Sequence, residues 1–132
     1  MFISTAIERW RDKGVLLNKA ATDEQIRAME DLLHFAFPVA LRNFWLQADG
    51  FYEDDLPEGF IRIWSIERVL YEHATREDKT FIGFADFMLN SWAYGFFIGK
   101  EGIYKDCDSH LPVCNSFETW VHLVEEDSNY LH

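Results

Sequence analysis

The 132 residues are the length of one domain with one core, and a chain this long buries roughly two thirds of the surface its unfolded form exposes, so neither a disulfide nor a metal is needed to hold it together. With 48% hydrophobic and 17% aromatic residues it is far too apolar to be a disordered chain. The 23 acidic against 12 basic residues give a formal net charge of −11, which repels phosphate backbones and anionic lipid; DNA, RNA and membrane surfaces are excluded as partners, and a basic protein is favoured through long-range steering.

In chain order, Thr5 and Glu8 have capping-box spacing, and Ile3, Ala6, Ile7 and Trp10 mark one face of a first helix that Gly14 ends. Val15 to Lys19 is an extended connector. Thr22 and Gln25 make a second capping box, followed at helical spacing by Ile26, Met29, Leu32 and Leu33. Pro38 suits the first turn of a third helix with Leu41, Phe44, Trp45 and Ala48 inward, and Gly50 sits where a left-handed cap belongs. Glu53, Asp54, Asp55 and Glu58 with Pro57 make the stretch from Phe51 to Gly59 an acidic loop.

Phe60 to Trp64 alternates as a strand, and Ser65 caps a short helix through about His73. Thr80 to Ala85 is a strand candidate, and Trp92, Tyr94, Phe96 and Ile98 alternate with Ala93, Gly95 and Phe97 in a second. Gly99 to Gly102 is a hairpin turn into a strand at Ile103 to Lys105, Pro112 to Cys114 adds a short strand, and Ser116 caps a final helix carrying Phe117, Trp120, Val121 and Val124. Helices lead, strands follow and a helix closes, which is an α+β order in a single domain over residues 1–132. The N-terminus lacks a basic region followed by an apolar run, and no window approaches the ~18 apolar residues of a membrane span. A cytoplasmic chain with both cysteines reduced is expected.

Three sets of residues could carry function. Asp49, Glu53, Asp54, Asp55 and Glu58 are the densest charge cluster and could mimic phosphate on the basic active site of a nuclease, or be a solvated loop. Trp92, Tyr94 and Phe96 share one strand face; a sheet covered on one side leaves one wet face, so they either centre an interface ringed by carboxylates or belong to the core. A bare patch of this kind would serve a homodimer as well as a heterocomplex. Cys107, His110 and Cys114 are admissible zinc ligands, but their spacing matches no strong motif. No HExxH, phosphate-cradling glycine loop or GxSxG is present, and no cofactor or catalytic residue is assigned.

Ile7 to Gly14, Ala21 to Ile26, Glu30, Pro38 and Leu41 to Phe44 up to Asp49-Gly50 resemble the N-terminal half of the SUKH superfamily, which includes fungal Smi–Knr-type cell-wall regulators and many bacterial immunity proteins. Ile61 to Glu67, Ile82 to Asp86, Gly102 to Tyr104 and Ser116 to Trp120 continue the resemblance in order. It departs at Asn90 to Phe97, which is more aromatic than the family pattern. The resemblance implies a twisted, largely antiparallel sheet with helices packed around it and no catalytic residues. It further implies a protein partner: a toxin domain to be neutralised, such as a nuclease, or the several partners of a regulatory scaffold. A small metal-dependent enzyme is the remaining alternative.

Overall fold

The computed structural model describes residues 2–52, 61–87 and 91–126. Its described elements are α1 (Phe2–Asp12), α2 (Asp23–Leu33), α3 (Val39–Trp45), β1 (Ile61–Ile63), α4 (Ile66–Thr75), β2 (Phe81–Phe87), β3 (Trp92–Phe97), β4 (Tyr104–Lys105) and α5 (Phe117–Glu125). The four strands form an antiparallel sheet in the order β1-β2-β3-β4. The α+β class, with helices leading and one closing, is the class the sequence predicts.

Local chemistry sets most boundaries. Thr22 caps α2 reciprocally with Gln25: the Thr22 hydroxyl accepts from Gln25 N at 3.1 Å, and Gln25 Oε1 accepts from Thr22 N at 2.9 Å. Ser65 and Ser116 cap α4 and α5 by accepting from Arg68 N and Thr119 N. The first helix differs from its sequence reading. It already runs from Phe2, so Thr5 and Glu8 lie inside it; burial of Ile3 beside Ala6, Ile7 and Trp10 outweighs the capping signal. Leu32, placed with the buried face of α2, is 69% exposed, whereas Ile26, Met29 and Leu33 point inward. Gly50 has φ +80°, but the nearest reason is crowding: a Cβ there would stand 2.4 Å from Ser65 N at the start of α4. Pro112 to Cys114 contributes one bridge, Ile103 to Cys114, rather than a strand.

The pairing register shows which side chains share a face. Phe96 with Ile82, Tyr94 with Ala85, and Trp92 with Phe87 lie on one face; Phe97 with Phe81, Gly95 with Gly83, and Ala93 with Asp86 lie on the other. A bulge between Gly83 and Ala85 resets the alternation, so that Asp86 falls on the second face. On the first face Phe84, Tyr94 and Phe96 meet Phe37, Phe117 and Trp120, with Phe44 behind them against Phe117. The second face is covered as well. The Trp64 ring packs against Gly83, where a Cβ would come within 2.8 Å of it, and α4 packs against β2. Both faces being covered explains why every residue of β2 is buried.

One continuous apolar core runs from Ile3 to Val121 and includes Trp10, Trp45, Trp64 and Trp120. Each fully buried large side chain in it contributes roughly 1.5–3 kcal/mol. The indole N–H of Trp45 donates to the Trp64 carbonyl at 2.9 Å, so the ring is buried with its polar atom satisfied.

Candidate protein-binding surface

Glu53, Asp54, Asp55 and Glu58 lie outside the described residues. Asp49, read with them, is at work inside the fold. Its Oδ1 accepts from Ile66 N at 2.9 Å, tying the α3–β1 connection to the first turn of α4. Burial holds its carboxyl above the ordinary aspartate value; the Ile66 hydrogen bond pulls it down and Glu67 raises it further.

The aromatic set is placed differently from an exposed patch. Tyr94 is fully enclosed, Phe96 is 7% exposed and Trp92 is half-buried. The expectation of one wet sheet face gives way because helices cover both. Phe97, on the second face, is buried as well. Burial pushes the Tyr94 phenol up to about 12, so it stays neutral at physiological pH. Trp92 stacks on Phe87 at 4.5 Å and lies under the Lys105 ammonium at 4.3 Å from its ring centroid.

Cys107 and His110 are exposed and Cys114 is half-buried, its Sγ donating to Ser116 O at 3.5 Å. The loop between them is organised by Asp108, whose Oδ1 accepts from His110 N and Leu111 N. Among the described residues no group of three or more His, Cys, Asp or Glu side chains is arranged to hold a metal ion.

A feature absent from the sequence reading is a surface recess of about 380 Å³ with an aromatic floor. Phe35 and Phe37, from the α2–α3 connection, meet Phe96 of β3 with ring centroids 5.5 and 6.1 Å away, and each other at 5.1 Å. Gly102 and the start of α5 close the far wall. Phe96 is therefore the one residue of the expected aromatic set that lines this recess, by its remaining exposed edge. No single segment announces it, because its parts lie some sixty to eighty residues apart in the sequence; the Phe35-Ala36-Phe37-Pro38 run between two helices is the one local signal.

A small apolar hollow with a few polar groups at its rim is suited to holding a side chain or short segment of another molecule. Among the described residues no helix is long and apolar enough to cross a membrane. No curated protein matches the sequence. A family model does: residues 20–122, well over half of the chain, match the SMI1 / KNR4 family (SUKH-1). With that match, and an antiparallel four-stranded sheet with helices packed on it, this chain belongs to the SMI1 / KNR4 family (SUKH-1).

Proposed function

We propose that the protein is a non-enzymatic binding module of the immunity type, acting in the cytoplasm, which neutralises a basic toxin domain by docking on it. The observation that carries this reading is the family match over residues 20–122, since members of this family are generally binding domains, typically for a toxin. The net charge of −11 supports a cationic partner, because opposite net charge speeds encounter. The core drawn from Ile3 through Val121 supports a single folded unit over the chain. On this reading Asp54, Asp55 and their acidic neighbours contribute steering, and the surface near Phe96 contributes contact. Neither a cofactor nor a nucleic acid enters.

Purification of the tagged chain from its native source, with the bound proteins identified, tests the proposal. One stoichiometric basic partner is expected, toxic when expressed alone and harmless when co-expressed. Many substoichiometric partners would replace this reading with a regulatory scaffold. A single partner without toxicity, or no partner at all, would overturn it.

A further inference from the structure

The recess over Phe35, Phe37 and Phe96 has three properties that together specify an occupant. The first is size. About 380 Å³ lies at the small end of the ~300–1,000 Å³ range of ligand pockets, room for one or two side chains and too little for a large cofactor.

The second is rigidity. The α2–α3 connection is pinned by Glu30: its carbonyl accepts from His34 N and Phe35 N, and its Oε2 accepts from Phe37 N at 2.7 Å, while its Oε1 takes Arg42 Nε at 3.2 Å. The opposite wall is equally fixed. Gly102 stands so close to Cys114 O that a Cβ would come within 2.9 Å, and Ser116 is committed to capping α5. Such a wall needs no ordering when a partner arrives, which removes a main entropic penalty of association.

The third is charge. Glu101 and Glu118 stand exposed at the rim, and Asp31 lines a neighbouring, more open depression that shares Phe35 and Ala36 with the recess. None of these three carboxylates is engaged in an ion pair among the described residues; the pairs there join other groups. Lys100 at the same rim keeps its charge, with Nζ donating to Ser109 O at 2.7 Å and lying 5.6 Å from the Phe97 ring centroid. Three carboxylates, Glu101, Glu118 and Asp31, against this one ammonium leave the field over the aromatic floor negative.

From these three properties we infer that the recess is a docking seat for a segment of the partner protein that presents a large apolar side chain flanked by Lys or Arg. The inference rests on the binding-module reading and adds to it the surface used and the chemistry of the segment received. The apolar side chain enters against Phe35 and Phe96, and the flanking cations meet Glu101 and Glu118 on one side and Asp31 on the other. A second copy of this chain fits poorly, because a two-fold contact would bring each rim of carboxylates against its own copy.

The test uses the intact chain and a displayed random dodecapeptide library. Selection is expected to return sequences with a central Leu, Phe or Trp between Lys or Arg residues. The synthesised peptide should shift the amide resonances of Phe35, Ala36, Gly102 and Phe117, and should bind the exposed double variant E101K/E118K about tenfold more weakly at low salt. Selection of acidic or purely polar sequences, or no selection, would overturn the inference, as would shifts elsewhere or unchanged affinity for the variant. Self-association lost in the same variant would give the seat to a second copy instead, and overturn it too. Should a basic partner co-purify equally well with wild type and with E101K/E118K, the seat is wrong while the toxin-binding reading stands; absence of any partner removes that reading independently of the peptide result.

Discussion

The indole N–H of Trp64 donates to Oδ1 of Asp86 at 3.0 Å in a place where neither residue touches water. Oδ2 of the same carboxylate accepts from Arg62 at 3.0 Å. The bulge in β2 makes this possible, by bringing Asp86 to the face on which Trp64 lies over Gly83. A buried carboxylate that accepts from both Trp64 and Arg62 fixes where the Trp64 ring sits, and with it the docking of α4 on the sheet.

Asp86→Ala should therefore destabilise the protein by about 3–5 kcal/mol, because it removes a buried carboxylate to which both the Arg62 guanidinium and the Trp64 indole donate. Asp86→Asn keeps an acceptor for the indole and should lose less. Urea denaturation of the two variants checks this; a loss under about 1 kcal/mol for the alanine variant would show that the cluster is dispensable.

Asp49 gives a dependence on pH. Its carboxyl titrates above the ordinary aspartate value in the fold, chiefly through burial, so the native state holds the proton more tightly than the unfolded chain. Ionisation of this group therefore subtracts stability as pH rises through the ordinary value toward the raised one. The penalty is complete above both values and absent below them. Asp49→Asn, which keeps an acceptor for Ile66 N, should be at least as stable as wild type at pH 7 and lose its advantage in acid. Asp49→Ala should lose roughly 1 kcal/mol at pH 7, the usual worth of a helix cap. Thermal midpoints at pH 7 and pH 4 decide; an asparagine variant clearly weaker than wild type at pH 7 would contradict the account.

Charge reversal at Asp54 and Asp55 together should slow association with a basic partner and flatten its dependence on salt, leaving dissociation nearly unchanged. Stopped-flow association at two ionic strengths measures this. Equal on-rates at low salt would remove these residues from the encounter.

The two cysteines should differ in reactivity. Burial pushes the Cys114 thiol up to about 11, whereas Cys107 is exposed. Brief alkylation of the native protein at pH 8, followed by mass mapping, should modify Cys107 and leave Cys114 largely intact until the protein is unfolded. Labelling of Cys114 at a comparable rate would show that the segment around it opens readily.

Local chemistry is what the sequence makes legible. The Thr22–Gln25 box, the Ser65 and Ser116 caps and the Trp92–Phe97 alternation each depend on residues within a few positions of one another, and each element stands where that pattern puts it. What alternation leaves open is how many faces of a strand are covered. The same Trp92-Ala93-Tyr94 pattern fits a half-wet strand and one roofed on both sides, and only the seating of Trp64 on Gly83 distinguishes them. The recess is hidden for a related reason, since Phe35, Phe37 and Phe96 meet through topology and not through spacing. The Thr5–Glu8 box fails by contrast where a stronger local interest, burial of Ile3, extends the helix past it.

The family match begins at residue 20, yet α1 lies wholly before it and is not an ornament. Trp10 meets Phe44 and Phe51 with ring centroids 6.1 and 5.3 Å away, and Arg9 donates from Nε and Nη2 to the two carboxylate oxygens of Glu125 in α5, at 2.5 and 2.7 Å. The core thus extends beyond the segment that the family model matches. A chain proteolysed of residues 2–12 would lose the Trp10 cover over Phe44 and Phe51, so α1 and α5, far apart in sequence, have to meet before this part of the core can close.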